Sequence, residues 1–170
     1  MAGRMDCNME NWERRMAELW AAIDSFDPDV FLLRIMSLAA ELPPGDAIGA
    51  FELASANDST GHPEKAAPLY RQALATGLTG LRRRRAAIQL ASTLRNLGHA
   101  EESVALLTAE RATVSDDLDD AVAAVLALAL VDAGREREAV SVALTALSRH
   151  LKRYNRSMAN YAKALMDDHA

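Results

Sequence analysis

At 170 residues the chain has the length of one domain or one repeat array, enough to bury a core. Half of its residues are apolar but only 5% are aromatic, so Ala, Leu, Val and Met must do the packing, a bias that favours an all-α fold. A formal charge of −5 argues against a general nucleic-acid binder, and the single cysteine, Cys7, excludes an internal disulfide or a cysteine-based zinc site.

Residues 1–11 alternate charged and polar side chains and lack the apolar core of a signal peptide. The longest apolar run, Ala121 to Val131, has 11 residues, against the roughly 20 that span a bilayer. The expectation is a soluble, cytoplasmic protein. In 11–26, Trp12, Met16, Leu19, Trp20 and Ile23 recur at helical spacing and predict a helix whose apolar stripe holds both tryptophans. That stripe reads as packing on, or capping, the end of the helices downstream; the sharper alternative is a dimerisation face. Asp27-Pro28-Asp29 is an N-cap, a proline at the first helical position and an acid that favours the dipole. The helix it starts, 28–42, carries Val30, Phe31, Leu32, Leu33, Ile35, Met36 and Leu38, which implies burial on more than one side, and Pro43-Pro44-Gly45 ends it.

From Asp46 the pattern repeats. Asp46 caps a helix to about Ser59, Thr60-Gly61-His62-Pro63 turns the chain, and a second helix continues to about Thr76. Gly61, Gly98 and Gly134 lie 37 and 36 residues apart, each after one amphipathic helix and before another. Glycine suits a helix C-cap because the left-handed backbone there is costly for a residue with Cβ. Self-similarity at this period is the signature of stacked helical hairpins, since one hairpin cannot cover its own apolar face.

Small residues fall where the helices of a hairpin must touch: Ala54, Ala91 and Ala127 on the first helices, Ala66, Ser103 and Ala139 on the second. With Leu53, Leu90 and Leu126 beside them, these positions resemble the tetratricopeptide repeat pattern of Trp-x2-Leu-Gly-x2-Tyr, Ala-x3-Phe and Pro. The chain departs from it in having Ala at the Trp place of all three units, no aromatic at the Tyr place and no closing Pro. It is similar to the small, alanine-rich bacterial members of that family. The resemblance implies an all-α, right-handed α-solenoid of about three helical hairpins, with extra N-terminal helices and a C-terminal capping helix. The expected divisions are 1–45 for the N-terminal helices, 46–150 for the repeats (46–81, 82–117 and 118–150) and 151–170 for the cap and a frayed tail. Ser148 to Leu165 supplies the capping helix, with Leu151, Tyr154, Met158, Tyr161 and Leu165 at helical spacing.

No reactive constellation is legible, so no enzyme and no cofactor is expected. His62 and His99 follow turn glycines, and His150 and His169 have no partner at metal-ligand spacing. Asp116-Asp117-Leu118-Asp119-Asp120 reads as a helix start, favoured by the dipole, rather than a cation loop. Arg82-Arg83-Arg84-Arg85 reads either as a solvated connection entering a helix or as a binding element.

The resemblance implies a concave groove lined by the first helices and a role in holding a protein or peptide. Arg85, Ile88, Ser92, Arg95 and Asn96 share a face of the middle unit away from Leu90, Ala91 and Leu94. The equivalent faces supply Phe51, Ser55 and Asp58 in the first unit and Leu128 in the third. Such a groove suits a peptide with acids and an apolar anchor. Two alternatives stand beside it. One is a homo-oligomer formed through the tryptophan helix or the apolar third repeat. The other is phosphate or nucleic-acid binding through a basic patch of Arg82, Arg83, Arg84, Arg149, Lys152, Arg153 and Arg156.

Overall fold

Aspartate and proline start the early helices, and glycine ends several of them. Asp27 Oδ1 accepts from the Asp29 N–H at 3.0 Å, with Pro28 at the first helical position. Asp46 Oδ1 accepts from Ile48 and Gly49 at 2.8 and 3.1 Å. Each of these caps satisfies donors that the helix itself leaves unpaired. The computed structural model describes residues 2–113 and 115–167, with side chains from Asn8 onward. The elements are α1 (Ala2–Ala21), a 3-10 turn η1 (Ile23–Ser25), α2 (Pro28–Ala39), α3 (Ala47–Ser59), α4 (Pro63–Ala75), α5 (Gly80–Asn96), α6 (Ala100–Thr113), α7 (Asp119–Asp132), α8 (Glu136–Ser148) and α9 (Asn155–Ala164). No strand occurs among the described residues, and none of the helices they form is long and apolar enough to cross a membrane.

The three predicted turns share one geometry. Gly61, Gly98 and Gly134 have φ of +82°, +83° and +72°. In each, the glycine N–H donates three residues back and the next N–H five residues back, as in His62→Asn57 at 2.8 Å, His99→Leu94 at 2.9 Å and Arg135→Leu130 at 2.8 Å. This is the Schellman closure of a helix end. A fourth copy, unannounced by the repeat spacing, closes α4 at Gly77, where the Leu78 N–H reaches Ala73 O at 3.1 Å.

The chain separates into two compact units, 1–82 and 83–170, with the boundary inside the first turn of α5. In the first unit α1 packs on α2, α2 on α3 and α3 on α4. Its core gathers Trp12, Met16, Phe31, Ile35, Leu38 and Ala56. Trp12 Nε1 donates to Leu38 O at 2.8 Å, and the Trp20 ring meets Phe31 edge-on at 5.1 Å. The tryptophan stripe therefore packs within this unit, with Trp12 buried and Trp20 half-buried. In the second unit α6 packs on α7, α7 on α8 and α8 on α9. Ala91, Val104, Leu107, Val122, Leu126 and Leu130 lie at the centre of its core. Ser103 Oγ donates to Ala91 O at 2.7 Å, so the small pair that brings α5 and α6 together is also hydrogen-bonded.

Three helix boundaries differ from expectation, the first being that α2 ends at Ala39, ahead of Pro43-Pro44-Gly45, rather than at Leu42. α1 begins at Ala2 rather than near Asn11; residues 4–10 carry no proline or glycine to interrupt it, and Gly3 falls in its first turn. The helix predicted over 148–165 is instead the end of α8, a connection, and α9 from Asn155. Tyr154 breaks it: at φ +66° it sits in the left-handed region, so the apolar spacing of Leu151 and Tyr154 runs across a turn. Arg149, Lys152 and Arg153 consequently precede α9 instead of lying on it.

Candidate interaction face

The arginine run is not a solvated connection, and three of its four members are not a basic patch. Arg82 Nε donates to Glu52 at 3.0 Å, and its two terminal nitrogens reach Glu13 at 2.9 and 2.5 Å. Glu52, nearly buried, also accepts from Trp20 Nε1 at 2.7 Å. These links tie α1, α3 and the start of α5 together inside the first unit. The guanidinium of Arg82 is held above its ordinary value, first by the hydrogen bond to Glu13.

In the second unit Arg83 pairs with Glu110. Arg84 is only 2% exposed and carries the larger network. Its Nη1 donates to both the carboxylate and the backbone oxygen of Glu110 at 3.0 Å, its Nε lies 3.3 Å from Asp116, and its Nη2 donates to Asp119 at 2.8 Å. Burial pushes this guanidinium down, but Glu110 and Asp116 hold it above its ordinary value. Asp119 is held below the usual carboxylate range, first by Ser115 Oγ at 2.7 Å, then by the Asp116 N–H. The acidic run thus begins α7 and also receives Arg84 across 32 to 35 residues of sequence.

The expected groove divides along similar lines. Phe51 and Ser55 are buried, and they cannot line an open face. The Phe51 ring packs 6.3 Å from that of Tyr70, whose hydroxyl lies 3.5 Å from Ser55 Oγ. The reason is that α3 lies against both α2 and α4, so most of it is buried; Ala47, Ile48, Leu53 and Asp58 are partly open and Ser59 is exposed at its end. In the second unit the expected residues keep some exposure. Arg85 and Asn96 are exposed, and Ile88, Ser92 and Arg95 are half-buried. On α7, Leu128 and Val131 are 51% and 49% exposed, with Ala124 open beside them. Arg95 Nε approaches Asp132 Oδ2 to 2.6 Å with its N–H out of line for a hydrogen bond, a Coulombic contact that places the faces of α5 and α7 side by side. Arg95 Nη1 also donates to Asn96 Oδ1 at 3.2 Å.

Arg149, Lys152, Arg153 and Arg156 are exposed and take no carboxylate partner among the described residues. His62 Nδ1 lies 3.2 Å from Thr60 Oγ1 and His150 Nε2 lies 2.7 Å from Asp120; His169 lies outside the described residues. Among those residues no cluster of three His, Cys, Asp or Glu side chains could hold a metal ion. The family model described as "Tetratrico peptide repeat" matches residues 47–165. No curated protein and no solved structure matches the chain.

Proposed function

Because the chain belongs to the tetratricopeptide repeat family, we propose that it is a non-enzymatic scaffold holding a protein or peptide on the face shared by α5 and α7. The observation that carries the reading is the exposed strip of Leu128, Val131 and Ala124, set beside the polar edge of Arg85, Ser92, Arg95 and Asn96. An apolar strip rimmed by polar side chains is the usual form of a protein-docking surface. The partner inserts apolar anchors over Leu128 and Val131. Any acid it carries competes with Asp132 for Arg95, so apolar contact dominates and charge sets register. The groove reading is confined to the second unit, because Phe51 and Ser55 are committed to packing.

The test is capture from native lysate by the full chain and by Leu128→Asp/Val131→Asp. Both side chains are half exposed, so the double variant keeps its helical melt and loses the captured protein. Retention of that protein by a folded double variant overturns the assignment. The same strip favours a second reading, a homo-oligomer through α7. Light scattering separates the two: a monomer whose mass is independent of concentration removes the oligomer.

A further inference from the structure

A second polar feature lies in the same unit, at the C-terminal ends of α6 and α8 and the start of α7. Arg111 in the last turn of α6 and Arg149 at the C-cap of α8 line a cleft of about 220 Å³. We propose that this cleft binds a phosphate monoester, gripped between the two guanidiniums.

The hydrogen-bond inventory of the lining decides the ligand's chemistry. Ser115 Oγ already donates to Asp119 Oδ2 at 2.7 Å, and Thr145 Oγ1 to Ser141 O at 2.8 Å. The hydroxyl hydrogens are therefore spent. Asp119 brings a negative charge, but that charge is held by Arg84 Nη2 at 2.8 Å and by the Asp116 N–H at 3.2 Å. The unspent donors are those of Arg111 and Arg149, neither of which has a carboxylate partner among the described residues. In a chain with 24 acids against 19 Lys and Arg, internal partners are plentiful, and Arg14, Arg15, Arg82, Arg83, Arg84, Arg95 and Arg135 all have one. Two arginines left without an acid at one cleft are placed for an acid that comes from outside.

Size and charge narrow the ligand. A water occupies about 30 Å³ of liquid, and sites for drug-sized molecules run from roughly 300 Å³ upward. The cleft is therefore too small for a nucleotide and suited to a phosphoryl group with a short stem. Ala123, Val142 and Ala146 supply an apolar wall for that stem. A dianion satisfies both guanidiniums, and its several acceptor oxygens match their forked donors. A carboxylate carries one charge and two oxygens, and pairs with one guanidinium only.

Titration of the full chain with inorganic phosphate, O-phosphoserine and acetate, monitored by calorimetry, tests the assignment. Phosphoserine binds at least as well as inorganic phosphate, and acetate is far weaker. Arg111→Gln and Arg149→Gln each weaken phosphoserine roughly tenfold to a hundredfold, with the helical melt retained. Arg153→Gln, an exposed arginine away from the cleft, leaves binding unchanged. Absence of binding to the wild-type chain overturns the proposal, as does equal loss in Arg153→Gln, which signals diffuse attraction. Equal affinity for acetate overturns the choice of phosphate, and binding of inorganic phosphate alone overturns the monoester. A fall in melting temperature without loss of binding leaves the two arginines as counter-charges to the ends of α6 and α8 and overturns it as well.

Discussion

Arg84 is a buried charge on which three acids of the second unit converge. It is 2% exposed and joined to Glu110, Asp116 and Asp119. Truncation leaves Glu110, itself 2% exposed, with only the more exposed Arg83 opposite it. Removing one partner of a buried pair costs about 3–5 kcal/mol, because the remaining charge stays desolvated. Arg84→Ala is expected to destabilise by that amount in urea unfolding, and Arg84→Lys by much of it, since an ammonium cannot reach three separately placed acceptors as the planar fork does. One pH-dependent contribution comes from Asp119. Its folded value lies below the usual range, held first by Ser115. A depressed carboxylate contributes stability that is fully present above its unfolded value of about 3.9 and is lost as pH falls through the folded value. The contribution of Asp119 is thus flat through neutrality and disappears only in acid. Urea midpoints measured down an acid series should fall less steeply in Asp119→Asn than in the wild type.

Among the helices, α4 contains the clearest local cost. Pro68 lies at its sixth position, exposed, where an ordinary residue would donate to the Glu64 carbonyl. Proline inside a helix removes that bond and crowds the preceding turn, at about 3 kcal/mol. Since the Pro68 ring is exposed and its loss opens no cavity, Pro68→Ala is expected to raise stability by about 1–3 kcal/mol, read as a higher thermal midpoint; an unchanged or lowered midpoint contradicts this. The helices themselves are legible in the sequence because caps, turn glycines and apolar spacing are local signals. Asp27, Asp46, Gly61, Gly98 and Gly134 stand where those signals place them. The candidate face is legible on α5 and α7, but on α3 the same spacing fails. Periodicity shows which residues share a side, and it cannot show that α3 has neighbours on two sides. The arginine run escapes sequence reasoning for a related reason. Its partners lie 26 to 69 residues away, and no short-range pattern reports an ion pair at such separations. The acidic run 116–120 is the available hint, a block of opposite charge without an assigned partner.

At the scale of the whole chain, the two units hold their charges differently. The first spends Arg15 on Glu41 and Arg82 on Glu13 and Glu52, so α1 is fastened electrostatically as well as by its apolar stripe. The second keeps Arg149, Lys152, Arg153 and Arg156 exposed, along with the strip of Leu128 and Val131. Both proposed binding surfaces therefore lie in the second unit, and α1 serves the stability of the first. That division makes a truncation informative. Removing residues 1–26 takes away Trp12 and Met16, both nearly fully buried, each worth about 1.5–3 kcal/mol of burial. It also uncovers Phe31 and Ile35, neither of which has any exposure in the intact chain, and strips Arg82 of Glu13. With domain stabilities of about 5–15 kcal/mol, such a loss is enough to unfold 27–82. The truncated chain is expected to lose about that segment's share of far-UV helical signal and to bind a dye specific for exposed apolar surface. Full retention of helicity per residue, with no dye binding, would show that the first unit stands without α1 and that the Trp12 and Arg82 contacts add little.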